Sequence, residues 1–137
     1  YVKEHSAPIN LEWARDNRTA GIRIPISDPE ARRVENRLAG MDCNPYLGIA
    51  VSLACGYLGM QNELRPGKQF RGEAYEGETD IPRVMGEALD LFEASPELHE
   101  ILGPEFARVY SIVKRAEYEE FLQVISPWER EHLLLNV

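Results

Sequence analysis

The chain has 137 residues, 44% of them hydrophobic and 28% charged, with a formal net charge of -8. This is enough apolar material for the core of one domain. Because an acidic chain is repelled by other polyanions, nucleic acids and anionic membranes are excluded as expected partners.

Residues 9–38 are predicted to be extended. Apolar and polar residues alternate around Ile9, Ile22 and Val34, and this two-residue period places one set on each face of a strand. Residues 27–30 carry the Ser, Asp and Pro of a turn between the last two strands. We therefore predict a few antiparallel strands in the N-terminal part.

The pattern becomes helical after Asn44, which with Pro45 forms an N-cap and a first helical position. Residues 46–63 are apolar on nearly every side, which is typical of a buried helix. The later predicted elements are a surface loop over 65–80 and helices over 82–94, from 96, over 104–125 and from 127, the last with a capping box of Ser126 and Glu129. The helix over 104–125 is expected to pack through one apolar stripe, formed by Phe106, Val109, Tyr110, Val113, Ala116, Phe121 and Val124. The predicted fold class is α+β, with strands at about 9–38 and a mainly helical C-terminal half.

Cysteine usage and hydropathy predict a cytoplasmic protein. Cys43 and Cys55 fall in a segment predicted to be one helix, where their separation is ~18 Å, whereas a disulfide requires Cα atoms within about 7 Å. We therefore predict free thiols. The apolar run over residues 46–60, inside an uncharged stretch that also contains Asn44, Gln61 and Asn62, is shorter than the about 20 residues of a membrane span. The chain opens on Tyr1 without a signal-peptide pattern, and we expect it to be part of a longer protein.

Arginine is concentrated in one segment. Six of the twelve arginines lie between positions 15 and 37, and residues 1–40 carry a balance of +1 against -9 in the remainder. On a strand, Arg33, Glu35 and Arg37 point to the same side, with Arg23 on the preceding strand and Arg18 just before it. Guanidinium groups bind phosphate through paired hydrogen bonds, and a carboxylate among them can hold a divalent cation. The alternative is a solvated sheet face with cross-strand ion pairs.

Three linked motifs resemble the glutamine synthetase family. They are N-R-T-A-G-I-R-I-P at 17–25, R-R-V-E-N-R at 32–37 and D-C-N-P-Y-L at 42–47. The family pattern has the same order and spacing: N-R-S/T, three variable residues, R-I-P, then R-x-E-x-R, then D/A-A-N-P-Y-L. The segment around Ser126–Arg130 also resembles the family's C-terminal end. The resemblance implies that residues 1–137 are the C-terminal portion of a larger catalytic domain, inactive on its own.

The resemblance also implies a reaction and its residues. Family members transfer the γ-phosphoryl group of ATP to the side-chain carboxylate of glutamate, and an amine then displaces the phosphate. The implied cofactors are ATP and Mg²⁺ or Mn²⁺, and the implied assembly is a homo-oligomeric ring. Arg18 and Arg37 are the implied catalytic residues. Arg18 is implied to contact the transferring phosphoryl group and also glutamate, and Arg37 to bind the glutamate γ-carboxylate. Arg23 and Arg33 are the implied ligands of the ATP phosphates, and Glu35 is the implied metal ligand.

The amine is the point on which this sequence departs from the family pattern. Ser6 stands where the ammonia-using enzymes have a flap glutamate, with Glu4 nearby, and Glu30 stands where some of them have a lysine. The D-N-R-T sequence at residues 16–19, with Trp13 before it, resembles the branch of the family that uses larger amines. We therefore expect a polyamine-like substrate, with ammonia (glutamine synthetase proper) or a non-catalytic relative as alternatives.

The remaining reactive side chains carry no predicted chemistry. His5, His99 and His132 have no metal-ligand spacing, and Cys43 has no histidine or second cysteine near it in sequence.

Overall fold

A computed structural model describes residues 7–134 of the chain. They fall into two compact units, the first ending at Arg83 and the second beginning at Val84. Among the residues described, the first unit contains a small sheet and one long α-helix, and the second contains α-helices and no strand. The predicted α+β class, with strands before helices, is confirmed.

The sheet consists of three short strands in the order β1-β2-β3: Trp13–Arg15, Ile22–Ile24 and Glu35–Asn36. The antiparallel prediction holds for β2 and β3 but is wrong for β1 and β2, which pair in parallel, Trp13 opposite Ile22. A parallel pair usually needs a long crossover. Here β1 is only about 10 Å long at 3.3 Å per residue, so residues 16–21 suffice to return the chain to its start.

The strands are much shorter than the predicted extended region. Ile9 is buried, but its carbonyl oxygen accepts a hydrogen bond from the Asp80 amide, 3.1 Å away, in a loop contact. The predicted turn after β2 is present as a 3-10 turn, Pro29–Ala31, which ends in extended backbone at Arg32. Much of residues 9–38 is therefore held by hydrogen bonds in turns and loops, where hydrogen bonds between strands were expected.

Helix α1 spans Pro45–Gln61, close to its predicted bounds, and the Asn44 side chain accepts hydrogen bonds from the first-turn amides as an N-cap. The expectation that α1 is buried is wrong within the described chain. Only Ala54 is buried, while Tyr46, Leu53 and Met60 are at least two-thirds exposed. A helix that is apolar all round needs packing partners on every side to be buried. The described part of the first unit contacts α1 on few of its sides.

The second unit contains α2, α3, α4 and α5 at Met85–Glu93, Pro96–Leu102, Pro104–Leu122 and Pro127–His132. α2 starts three residues later than predicted, and α4 ends three residues earlier. The predicted capping box is present, with Ser126 Oγ accepting from the Glu129 amide and Glu129 Oε2 from the Ser126 amide.

The predicted packing stripe of α4 is wrong for most of its members, although Tyr110 packs against Phe92 of α2 with their ring centroids 5.6 Å apart. Val109, Val113 and Phe121 are exposed, whereas Ala107 and Ser111 are buried. Small residues allow α4 to approach α2 and α3 closely, which is why they occupy the contact face although larger apolar residues are available.

The core among residues 7–134 is small. Most of its buried apolar members are alanines: Ile9, Ala14, Ala20, Ala54, Ala74, Leu89 and Ala107. Both cysteines are free, as predicted, and both are exposed; Cys43 precedes α1 rather than lying within it. Among the described helices, none combines the length and apolar character that crossing a bilayer requires.

Candidate active site

The centre of the arginine cluster is Arg23, on β2. Its Nη1 donates to Glu35 Oε2 at 2.9 Å and its Nη2 to Asp16 Oδ1 at 2.5 Å, and its side chain is only 14% exposed. Hydrogen bonds to Asp16 and Glu35 raise the pKa of Arg23, so it stays charged. Two carboxylates therefore already compensate the charge of this guanidinium.

Glu35 on β3 receives a second arginine. Arg33 donates from Nε to Glu35 Oε1 at 3.0 Å and places Nη2 2.9 Å from the same oxygen. The hydrogen bond from Arg23, and then that from Arg33, lowers the pKa of the Glu35 carboxyl. The convergence expected from the R-x-E-x-R spacing is therefore present for Arg23, Arg33 and Glu35, with Arg33 placed before the strand rather than on it.

Arg37 braces the loop between β1 and β2. Its Nη1 donates to the backbone carbonyl of Arg18 and, at 3.1 Å, to that of Ala20. Its own amide donates to the Gly21 carbonyl at 2.9 Å. Arg37 thus holds the backbone that presents Arg18.

Arg18 is exposed and lines an open cleft of about 590 Å³. The cleft is formed by the end of β1, the loop after it, one residue of β2 and part of the loop that follows α1: Arg15, Asp16, Asn17, Arg18, Thr19, Arg23, Gly72 and Glu73. Of the predicted site residues, Arg18 and Arg23 line this cleft. Glu35 connects to it through Arg23, Arg33 through Glu35, and Arg37 through the Arg18 backbone.

Sequence reasoning missed Arg15, the pairing role of Asp16, and the far wall at Gly72 and Glu73. A local signal existed for the turn. Asp16 has φ 46° and Gly72 has φ 102°, and Asp and Gly are among the residue types that tolerate left-handed backbone. No comparable local pattern marks Glu73, because a contact 50 or more residues away in sequence leaves none.

Two residues of the N-R-T motif join the cleft walls. Asn17 Nδ2 donates to the Gly72 carbonyl at 2.8 Å, and Asn17 Oδ1 accepts from both the amide and the hydroxyl of Thr19. Thr19 Oγ1 in turn accepts from the buried Ala74 amide at 2.8 Å. Asn17 and Thr19 therefore pin the backbone on both sides of Arg18 to the segment that carries Glu73.

A divalent cation finds few ligands in this part of the chain. No group of three or more His, Cys, Asp or Glu side chains within residues 7–134 is placed to hold a metal ion. Glu35 has the oxygen chemistry that Mg²⁺ prefers, but both of its oxygens already accept from guanidinium groups. Glu35 is the one carboxylate among the predicted site residues, and the described part of the chain does not build a metal centre. The predictions on Glu4 and Ser6 lie outside the residues described.

Comparisons with known proteins agree with the motifs. A family model described as the glutamine synthetase catalytic domain matches residues 1–133. The chain is 31% identical over 142 residues to a glutamine synthetase of Halobacterium salinarum, covering 97% of this chain and 31% of that protein. It is 36% identical over 130 residues to the gamma-glutamylputrescine synthetase of Escherichia coli, covering 94% and 28%. It is 37% identical over 139 residues to the type-1 glutamine synthetase 2 of Dictyostelium discoideum, covering 97% and 26%. The chain spans less than a third of the length of these relatives.

Proposed function

The chain belongs to the glutamine synthetase family, and from this premise we propose that it is part of an ATP-dependent carboxylate-amine ligase. The proposed reaction activates glutamate as γ-glutamyl phosphate, which an amine then attacks to form a C-N bond. The observation that carries this proposal is the position of Arg18: a motif arginine, exposed in an open cleft, on a loop whose backbone is held by Arg37, Asn17 and Thr19.

The proposal assigns the chain to the C-terminal portion of a larger catalytic domain. Exposed apolar faces support this, since Tyr46, Leu53 and Met60 on α1 and Val109 and Val113 on α4 lack cover within residues 7–134. The described residues also lack a complete metal centre. The 137 residues alone should therefore release no phosphate from ATP when glutamate and an amine are supplied, and release by them would contradict this part of the proposal.

Each arginine has a proposed task that follows from its surroundings. Phosphoryl transfer is catalysed mainly by positioned cations around the phosphate oxygens. Arg18 is proposed to contact the transferring group, and Arg33, which is half-exposed, the ATP phosphates. Arg37 is proposed to hold the glutamate γ-carboxylate and to position the Arg18 loop. Arg23, enclosed by Asp16 and Glu35, is proposed to hold the cluster together and to position its neighbours.

Glu35 is proposed as one ligand of a divalent cation. A bound Mg²⁺ or Mn²⁺ neutralises charge that develops on the phosphate oxygens. The Glu35 carboxyl stays ionised because Arg23 and Arg33 lower its pKa, so it has the charge that such a ligand requires. Glu35→Ala is accordingly expected to shift the metal dependence of turnover.

For the amine we propose a substrate larger than ammonia and polyamine-like. The support is Ser6 at the position of the flap glutamate, Trp13 together with the D-N-R-T sequence at 16–19, and a relative named for putrescine. Glutamine formation from ammonia is the second candidate, favoured by the relatives named glutamine synthetase.

The deciding experiment is a phosphate-release assay of the complete protein with ATP, Mg²⁺ and glutamate. Ammonia, putrescine, spermidine and ethanolamine are compared as the amine. We expect kcat/KM to be greatest for putrescine or spermidine. A strong preference for ammonia would overturn the polyamine proposal while leaving the ligase proposal intact.

A further inference from the structure

We propose that Arg15 is a second phosphate-binding residue of the cleft, acting beside Arg18 on the nucleotide. The inference rests on the proposed function and extends it to a residue outside the three motifs. It starts from a property of the cleft: three arginines line it, but they are not equally available to a ligand.

Arg23 is the least available of the three. Its Nη1 and Nη2 are both engaged by carboxylates, at 2.9 and 2.5 Å, and little of its side chain is exposed. A ligand phosphate would have to displace Asp16 or Glu35 to form a paired contact with it. Arg23 is therefore better suited to position the cluster than to bind the nucleotide.

Arg15 and Arg18 have the opposite character. Both are exposed, and within residues 7–134 neither forms an ion pair. Asp16 lies between them in sequence, but its carboxylate is turned to Arg23. Two guanidinium groups that no carboxylate compensates therefore line one cleft, where each can contact two phosphate oxygens.

The backbone of Arg15 is well fixed. Arg15 is the last residue of β1, opposite Ile24 in the parallel ladder, and the next amide, that of Asp16, donates to the Ile24 carbonyl at 2.9 Å. A binding residue on a strand end is placed more accurately than one on a free loop. The cleft volume of about 590 Å³ is also sufficient for a polyphosphate chain.

Glu73 is the opposing charge in the cleft. It also lines the cleft and forms no ion pair among the residues described. A carboxylate there repels the phosphates, so it limits how far the nucleotide extends toward Gly72. Arg15 and Arg18, and not the far wall, are therefore the anion-binding side.

The test compares the complete wild-type protein with Arg15→Ala, Arg15→Lys and a control, Arg65→Ala, whose side chain is exposed and outside the cleft. Initial rates are measured against ATP and against glutamate, and ATP binding is measured by calorimetry, which needs no turnover. Arg15→Ala should raise KM and Kd for ATP about tenfold, the factor typical of losing one charge-assisted hydrogen bond, with KM for glutamate unchanged.

The variants separate binding from folding. Arg15→Lys keeps the charge but loses the paired geometry, so it should recover part of the ATP affinity, and Arg65→Ala should match wild type. An unchanged ATP affinity in Arg15→Ala, or a rise confined to the KM for glutamate, overturns the inference. A wild-type protein that binds ATP but forms no C-N bond counts against the proposed function alone.

Discussion

Arg23 Nη1 lies 2.9 Å from Glu35 Oε2, so one ion pair ties β2 to β3 at one of the two residue pairs of their ladder. The same guanidinium reaches Asp16, and the same carboxylate reaches Arg33. The charges at the centre of the arginine cluster therefore pair with one another. Arg15 and Arg18, at its edge, are the arginines exposed to a ligand.

The first prediction concerns the pH dependence of stability. Arg23 and Arg33 lower the folded-state pKa of Glu35, so its stabilising contribution is fully present above its ordinary value of 4.5 and is lost as pH falls through the lowered pKa. Glu35→Gln should reduce the acid sensitivity of thermal unfolding, followed by circular dichroism between pH 3 and 7. The matched control is Glu30→Gln, an exposed site outside the ion pairs. Equal profiles for wild type and Glu35→Gln would contradict the prediction.

The second prediction concerns the close approach at Gly21. A Cβ there would lie 2.4 Å from the Asn10 carbonyl oxygen and 2.9 Å from Leu38 Cδ2, and the first of these atoms is backbone. Gly21→Ala should destabilise the protein by about 1 to 3 kcal/mol, measured by denaturant unfolding.

Its control is Gly56→Ala, in the interior of α1, where a Cβ meets no atom of residues 7–134 within 4 Å outside the helix's own backbone. That change should stabilise by about 0.5 to 1 kcal/mol, because alanine loses less backbone entropy in a helix. A Gly21→Ala variant as stable as wild type would show that residues 10 and 21 can separate.

The third prediction concerns the link between the cleft walls. Thr19→Val removes the acceptor of the buried Ala74 amide with little change in shape. Leaving that donor unpaired should cost about 1 to 3 kcal/mol and reduce hydrogen-exchange protection of the segment around Ala74 about tenfold or more. Thr79→Val, at an exposed threonine in the same loop, is the control. Retained protection in Thr19→Val would mean that this bond does not hold the loop.

The fourth prediction concerns the second unit. Arg115 on α4 donates to Asp90 and, through two nitrogens, to Glu93 near the end of α2, which raises the pKa of Arg115 and lowers that of Glu93. Arg115→Ala should lower Tm, and high salt should reduce the difference from wild type. Arg108→Ala, whose partner Glu105 lies one turn away on the same helix, should lower Tm less. Equal losses in the two variants would show that Arg115 does not join the helices.

The sequence predicted best those features that are encoded by neighbouring residues. The Asn44 cap, the Ser126 capping box and the convergence of Arg33 with Glu35 all follow from spacing of a few positions. The contact between Arg23 and Glu35 was predicted in the same way, from positions on neighbouring strands joined by a turn.

Features that depend on distant partners were not predictable in the same way. The stripe on α4 was assigned by hydrophobicity, yet Ala107 and Ser111 face the neighbouring helices because small side chains permit close packing. The parallel pairing of β1 depends on how residues 16–21 return the chain, and the far wall of the cleft on contacts across 55 residues, as between Asn17 and Gly72.

The most direct measurement is phosphate release by the complete protein with ATP and Mg²⁺, with glutamate and amine added separately and together, for wild type, Arg18→Ala and Arg65→Ala. Release by wild type should require glutamate and be greatest with both substrates. Arg18→Ala should lower kcat by about 10²-fold or more, the usual effect of removing a charge that stabilises the transition state, while Arg65→Ala should behave as wild type. Release that is independent of glutamate, or that is unchanged in Arg18→Ala, would contradict a carboxylate-amine ligase acting through this cleft.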